Sequence, residues 1–297
     1  MADIISLTAV TKIYNNFTAV NSVNLQIKEG EILGLIGHNG SGKTTILKMM
    51  VGLLEPTSGT IEVMGRDITR GSTIVKQQIG YLSEESPLYE NMTIQQYLEF
   101  FAELYKIPKK MARKRIGELL DSLKLEERDK YTGDLSKGMR RKVAIARTLL
   151  HEPSILVLDE PNSGLDPLTS FFIIEYLKKL NEQGKTIVLS AHNLFHVEYI
   201  CKRVAIMKNG VIHICDTIEA IREKLGNREY EVVFKANAVL DYPVQGDNYV
   251  FTTSDVGKIA SLLQDISANN WALIDLSIRQ SALEDMYVKL MDNGTAV

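Results

Sequence analysis

Gly37-His38-Asn39-Gly40-Ser41-Gly42-Lys43-Thr44, with a second threonine at Thr45, decides how the rest of the chain is read. The stretch fits the spacing G-x-x-x-x-G-K-[ST], in which a glycine-rich loop turns its backbone N–H groups inward around phosphate oxygens. Glycine is needed because the chain must wrap closely, in dihedrals that a side chain hinders. Upstream, Ile32-Leu33-Gly34-Leu35-Ile36 reads as a buried strand; downstream, Ile46, Leu47, Met49 and Met50 continue as a helix until Gly52 and Pro56 stop it. Strand, loop and helix in that order are the context this motif requires, and the helix starting at Lys43 aims its positive dipole end at the same anion. The reading assigns Lys43 to the β and γ oxygens of a nucleotide and the Thr44 hydroxyl to Mg²⁺.

Composition narrows what such a site serves. With 297 residues and 45% hydrophobic content, the chain can bury a large core and a smaller second one. Lys and Arg total 34 against 37 for Asp and Glu, a net charge of -3, so no positive field marks a nucleic-acid binder. No run approaches the roughly 18 apolar residues of a bilayer span, and the opening MADIISLTAVTK lacks the charge and apolar core of a leader, so a soluble chain without a membrane span is expected. Cys201 and Cys215 are too few and too far apart for a disulfide framework or a zinc knuckle, which fits a reducing cytosol.

Outward from the loop, the patterns predict an α/β fold with a mainly parallel core sheet. Before it, Ile5, Leu7 and Ala9 alternate with polar residues, as do Val23, Leu25 and Ile27, giving an N-terminal antiparallel β subdomain. Between about 87 and 151 the texture turns helical. Ile94, Tyr97, Leu98, Phe101, Leu104 and Tyr105 form one stripe, and a second helix from about Lys110 to Leu123 carries the basic run Lys109 to Arg115, read as a solvated face. After Pro153, SILVLDE, KTIVLSAH and RVAIMKNG alternate with helices. Residues 1–225 are taken as the nucleotide-binding domain and 226–297 as a small α+β appendage.

Ile155-Leu156-Val157-Leu158-Asp159-Glu160 is an apolar strand ending in two acids, at the sheet edge where phosphates lie. Asp159 fits the Mg²⁺-holding role and Glu160 the polarisation of an attacking water. Leu135-Ser136-Lys137-Gly138-Met139 then opens a helix: Ser136 reads as its N-cap, and Gly138 permits close approach, an anion site with no phosphate of its own. His192 and His196 form H-x-x-x-H, but Asn193 stands where a zinc protease needs Glu, so no zinc site is expected.

Together these motifs make the chain resemble ATP-binding cassette (ABC) proteins, whose LSGGQ signature Leu135–Met139 resembles. That resemblance, covering about residues 3 to 225, implies a P-loop ATPase in which each ATP lies between the phosphate loop of one subunit and the signature of another. It implies that Tyr14 stacks on adenine, that Asn162 to Asp166 form the D-loop bridging the two sites, and that His192 contacts the γ-phosphate and the attacking water. Ser136, Gly138 and Asp166 join the nucleotide set on this basis, and Glu84 takes the place where the family commonly has glutamine, reaching Mg²⁺ through water. Lys137 and Met139 depart from the signature as well, and with Glu84 they resemble a drug- and antibiotic-export subgroup, as does the tail Ala282–Leu290. The implied partners are an integral membrane transporter subunit and a second copy or homologous ATPase, at the cytoplasmic face of the inner membrane. Export is favoured over import, and Tyr97, Leu98 and Phe101 are the expected part of the partner groove. A regulatory cassette without hydrolysis is the alternative. A GTPase would need an N-K-x-D motif, which is absent from the sequence.

Overall fold

In the computed structural model the described residues are 3–70, 73–226 and 228–292. The chain divides after Thr217 into two compact units. The first begins with β1 (Asp3–Tyr14) and β2 (Phe17–Lys28), followed by the buried β3 (Ile32–Gly37), α1 (Lys43–Met50), β4 (Ser58–Val63), β5 (Arg66–Asp67), α2 (Thr73–Lys76) and β6 (Ile79–Leu82). Three helices come next: α3 (Ile94–Leu104), α4 (Lys109–Ser122) and α5 (Lys137–Leu149). The unit ends with β7 (Ile155–Asp159), α6 (Pro167–Glu182), β8 (Thr186–Ala191), α7 (Leu194–Ile200), β9 (Arg203–Lys208) and β10 (Val211–Thr217).

Its main sheet runs β10-β9-β3-β8-β7-β6. All neighbours are parallel except β10, which returns antiparallel along β9. β3, β7 and β8 are buried along their whole length, which is why they read as continuous apolar runs. Their carboxyl ends converge on the glycine loop, Asp159 and Ala191, so the order of strands alone brings three distant segments together. A second, antiparallel sheet, β2-β1-β4-β5, flanks this core and shares its apolar cluster through Ile5, Leu7, Val20 and Ile61.

The simple alternation expected in β1 breaks at Ala9. That residue has φ 48° and the register with β2 shifts between Leu7 and Val10, so Val10 rather than Ala9 enters the core. A bulge of one residue flips every later side chain to the other face. In α3, Thr93 and Gln96 form a reciprocal capping box. The expectation that Tyr97 and Leu98 line an open partner groove is corrected: they are 1% and 0% exposed. Tyr97 lies against Phe101 at 4.9 Å and its hydroxyl accepts from Arg147 at 2.8 Å. The stripe is core packing through Leu98; Phe101, also expected in that groove, is half-buried, and Leu104 and Tyr105 are exposed.

The second unit, from Ile218 onward, holds α8 (Ile218–Leu225), β11 (Arg228–Lys235), β12 (Val244–Gln245), β13 (Asn248–Thr253), α9 (Val256–Ala268), β14 (Ala272–Gln280) and α10 (Leu283–Asp292). Its antiparallel sheet, β12-β13-β11-β14, packs on α9 around Val232 and Phe234. The ring of Phe234 meets those of Tyr242, Tyr249 and Trp271. Residues 218–225, expected with the first unit, fall in the second: α8 packs with α10, and Arg222 Nε donates to the carbonyl of Ser281, just before α10.

Candidate nucleotide site

The glycine loop closes on itself before it meets anything else. Lys43, only 7% exposed, donates from Nζ to the carbonyls of Gly37 at 2.7 Å and His38 at 3.3 Å. A Cβ on Gly42, which sits at φ 105°, would lie 2.5 Å from the Ala19 carbonyl oxygen, so only glycine fits there. Because Gly42 offers no side-chain cap, α1 starts with its first N–H groups turned to the loop. Burial lowers the Lys43 pKa, and Glu160, Asp159 and Glu84 oppose the shift.

Two acids face this ammonium from the end of β7. Asp159 is 1% exposed, and its Oδ1 accepts from Ser190 Oγ at 2.6 Å. The same Ser190 Oγ accepts the Glu160 N–H at 2.9 Å. Glu160 adopts φ 48°, a left-handed conformation costly for a residue with a side chain. Its carboxylate is 6% exposed and Oε2 accepts from Nδ1 of the exposed His192 at 2.7 Å.

Beneath them lies Arg141, on α5 and 8% exposed. Its guanidinium donates to the carbonyls of Asp159 (3.0 Å), Glu160 (2.5 Å), Pro161 (2.7 Å), Ser83 (2.8 Å) and Glu84 (3.0 Å). Burial pulls this guanidinium down to about 10, against the pull of Asp159, Glu84 and Glu160. One fork thus fixes the β7 end and the Glu84 loop to the helix that begins at Ser136.

A cavity of about 630 Å³ joins Tyr14, Asn39, Gly40, Ser41, Gly42, Lys43, Thr44, Thr45, Glu84, Asp159, Glu160 and His192. Gly37 and His38 stand behind Lys43 and act through their carbonyls. The residues suit a nucleotide phosphate, and one observation carries this. Ser41 Oγ is fully buried inside the loop with no protein partner, a polar atom that a phosphate oxygen would satisfy. Among the described residues no group of three or more His, Cys, Asp or Glu could hold a metal, and a Mg²⁺ bound by one carboxylate, a hydroxyl and phosphates needs no such cage.

Ser136, Gly138 and Asp166 are not brought to this cavity. Ser136 is exposed and caps α5, accepting the Met139 N–H at 3.3 Å. Gly138 lies close to α6, where a Cβ would stand 3.0 Å from the Thr169 methyl and press on it. Asp166 is exposed and caps α6, accepting the Thr169 N–H at 2.9 Å; the Thr169 hydroxyl first and this N–H second lower its pKa. Ser163, of the expected D-loop, lines the cavity, whereas Arg141, Ser190 and Phe17 belong to the site without having been expected there. Arg141 reads as one more cation of a basic helix, and Ser190 as a small residue ending a buried strand. Phe17 offered a signal, an aromatic three residues past Tyr14 across a two-residue turn.

The ABC transporter family profile matches residues 20–163. The chain is 33% identical to the bacitracin transport ATP-binding protein BcrA of Bacillus licheniformis over 309 aligned positions, covering 99% of both. It is 41% identical to the methionine import ATP-binding protein MetN of Geobacillus kaustophilus, covering 70% of this chain and 64% of that one. Among solved structures, an ATP-binding subunit of an ABC transporter matches with a TM-score of 0.68 at 31% identity, covering 74% of this chain and 92% of that one. The dimeric post-hydrolysis cassette MJ0796 bound to ADP and Pi matches with a TM-score of 0.66 at 29% identity, covering 72% and 98%. The fold and loop define a P-loop ATPase. The chain belongs to the ATP-binding proteins of the ABC transporter family.

Proposed function

We propose that this chain powers an exporter by working as a pair on a separate membrane-spanning subunit, at the cytoplasmic face of the membrane. One observation carries the pairing: Ser136 caps its helix through the Met139 N–H yet is exposed and absent from its own chain's cavity, so its hydroxyl can still donate, with the helix N-terminus, to a phosphate on another copy. The dimeric cassette bound to ADP and Pi supports this reading. Among the described residues no helix is long and apolar enough to cross a membrane, so transport requires a partner that does.

In this account Lys43 and the loop N–H groups hold the phosphates, and Tyr14 stacks on the base. Glu160 takes a proton from the attacking water, while His192 orients Glu160 through Nδ1 and offers its other nitrogen to the γ-phosphate. Thr44, Asp159 and Glu84 would hold Mg²⁺, which neutralises charge on the transferring phosphoryl group. Closure of the pair draws the membrane subunits together and hydrolysis releases them, because nucleotide binds the closed state far better than the open one.

Export is favoured because the bacitracin relative matches end to end, whereas the methionine importer matches only 70% of this chain. Deleting the gene should raise accumulation of a labelled peptide antibiotic in cells; lowered accumulation would point to import. For the pairing, turnover per chain should fall toward zero on dilution, whereas a constant turnover would contradict it.

A further inference from the structure

The end of β7 and the start of α7 are joined twice. The first link is Glu160 to His192; the second lies deeper, where Asn162 Nδ2 donates to His196 Nδ1 at 2.7 Å. We propose that His196, through Asn162, is a positioning residue that sets the distance between Glu160 and His192.

Asn162 is a stiff anchor. It is 9% exposed, its carbonyl accepts from Ser170 Oγ at 3.3 Å, and the two carbonyls before it are held by Arg141. On the other side, the Asn193 side chain caps α7 by accepting the His196 N–H at 3.2 Å, so residues 193 to 196 form one rigid turn. His192 directly precedes that turn, and its side chain is 58% exposed, with little packing to hold the ring. Its position therefore follows the turn, and the turn follows the bond from Asn162. An accepting Nδ1 places the proton of a neutral His196 on Nε2, and burial lowers its pKa, which keeps it neutral. Neither Asn162 nor His196 lines the nucleotide cavity, so both act on geometry and not on binding.

The inference rests on Glu160 as the base, and the test separates the two. In the full chain, His196→Leu should lower kcat about tenfold, the scale of a small misplacement of reacting groups, with KM for ATP unchanged. His196→Asn, which returns an acceptor close to Nδ1, should restore turnover to within about threefold of the parent. Asn162→Ala reaches the same bond from the other end and serves if His196→Leu does not fold, and the double variant should be no slower than the slower single one. With Glu160→Gln inactive, normal kcat in His196→Leu, no rescue by His196→Asn, or multiplicative losses in the double variant overturn the positioning role alone. Normal hydrolysis by Glu160→Gln overturns the base assignment and this inference with it.

Discussion

Glu160 reaches His192 across 2.7 Å from a left-handed backbone. Strain of that kind persists only where surrounding contacts over-determine it. Here Ser190 holds the Glu160 N–H and Arg141 holds its carbonyl, so both sides of the strained residue are fixed. The residue proposed as the base is thus held by Ser190 and Arg141, neither of which lines the cavity.

Arg141→Met should therefore cost both stability and rate. Charged hydrogen bonds contribute about 1.5–3 kcal/mol each and are not additive, so a loss of about 3–5 kcal/mol is expected for removing this buried fork. Urea unfolding measures it. Arg141→Lys should recover only part, because an ammonium cannot span five carbonyls in a planar fork.

Lys43→Ala should abolish detectable ATP binding in a fluorescent-nucleotide titration, since the loop loses its buried cation, while Glu160→Gln should bind as well as the parent. Loss of binding in Glu160→Gln would show that the carboxylate holds ligand as well as water. Turnover of Glu160→Gln should fall by about two to four orders of magnitude, the range of a general base.

Tyr14 and Phe17 stand on the cavity rim with 44% and 63% exposure. Stacking on a base is worth about 1–3 kcal/mol, so Tyr14→Ala should weaken ATP binding roughly 5- to 150-fold and Tyr14→Phe hardly at all. An equal loss in Phe17→Ala alone, with Tyr14→Ala silent, would move the base to Phe17.

His151 gives a pH dependence outside the site. Its ring stacks on Tyr105 at 4.3 Å, Nε2 donates to the Ile79 carbonyl, and Nδ1 is buried without a partner. Burial, the largest cause, lowers its pKa below the ordinary 6.5. Below that value the unfolded chain binds the proton more readily than the folded one, so stability present above pH 6.5 is lost as pH falls through the lowered pKa. Urea midpoints should drop between about pH 7 and 5, and His151→Phe should flatten that drop. An unchanged slope in the variant would assign the effect elsewhere.

Much of the site was legible because it is local. The loop and the acid pair each sit inside a few residues whose spacing carries the chemistry, and strand order then converges them; Ser136 is equally local but lies outside the cavity. What was not legible depends on distant packing. Arg141 acquires its role only because the parallel sheet sets the β6 and β7 ends side by side over α5. Tyr97 and Leu98 have the same periodicity whether their stripe meets a partner or its own bundle, and Arg147 and Tyr89 decide for the bundle. The bulge at Ala9 has no sequence signal, because an alanine does not announce a positive φ. Asn162 and His196 lie 34 residues apart and meet only through adjacent strands.

The mass of Glu160→Gln in solution with ATP, measured by light scattering, tests the central claim most directly. A stalled base should lock two chains around nucleotide and double the mass, and adding Ser136→Glu, at an exposed position, should return it to that of one chain, with circular dichroism checking that the variant is folded. A single-chain mass with ATP bound, or a dimer indifferent to Ser136→Glu, would contradict it.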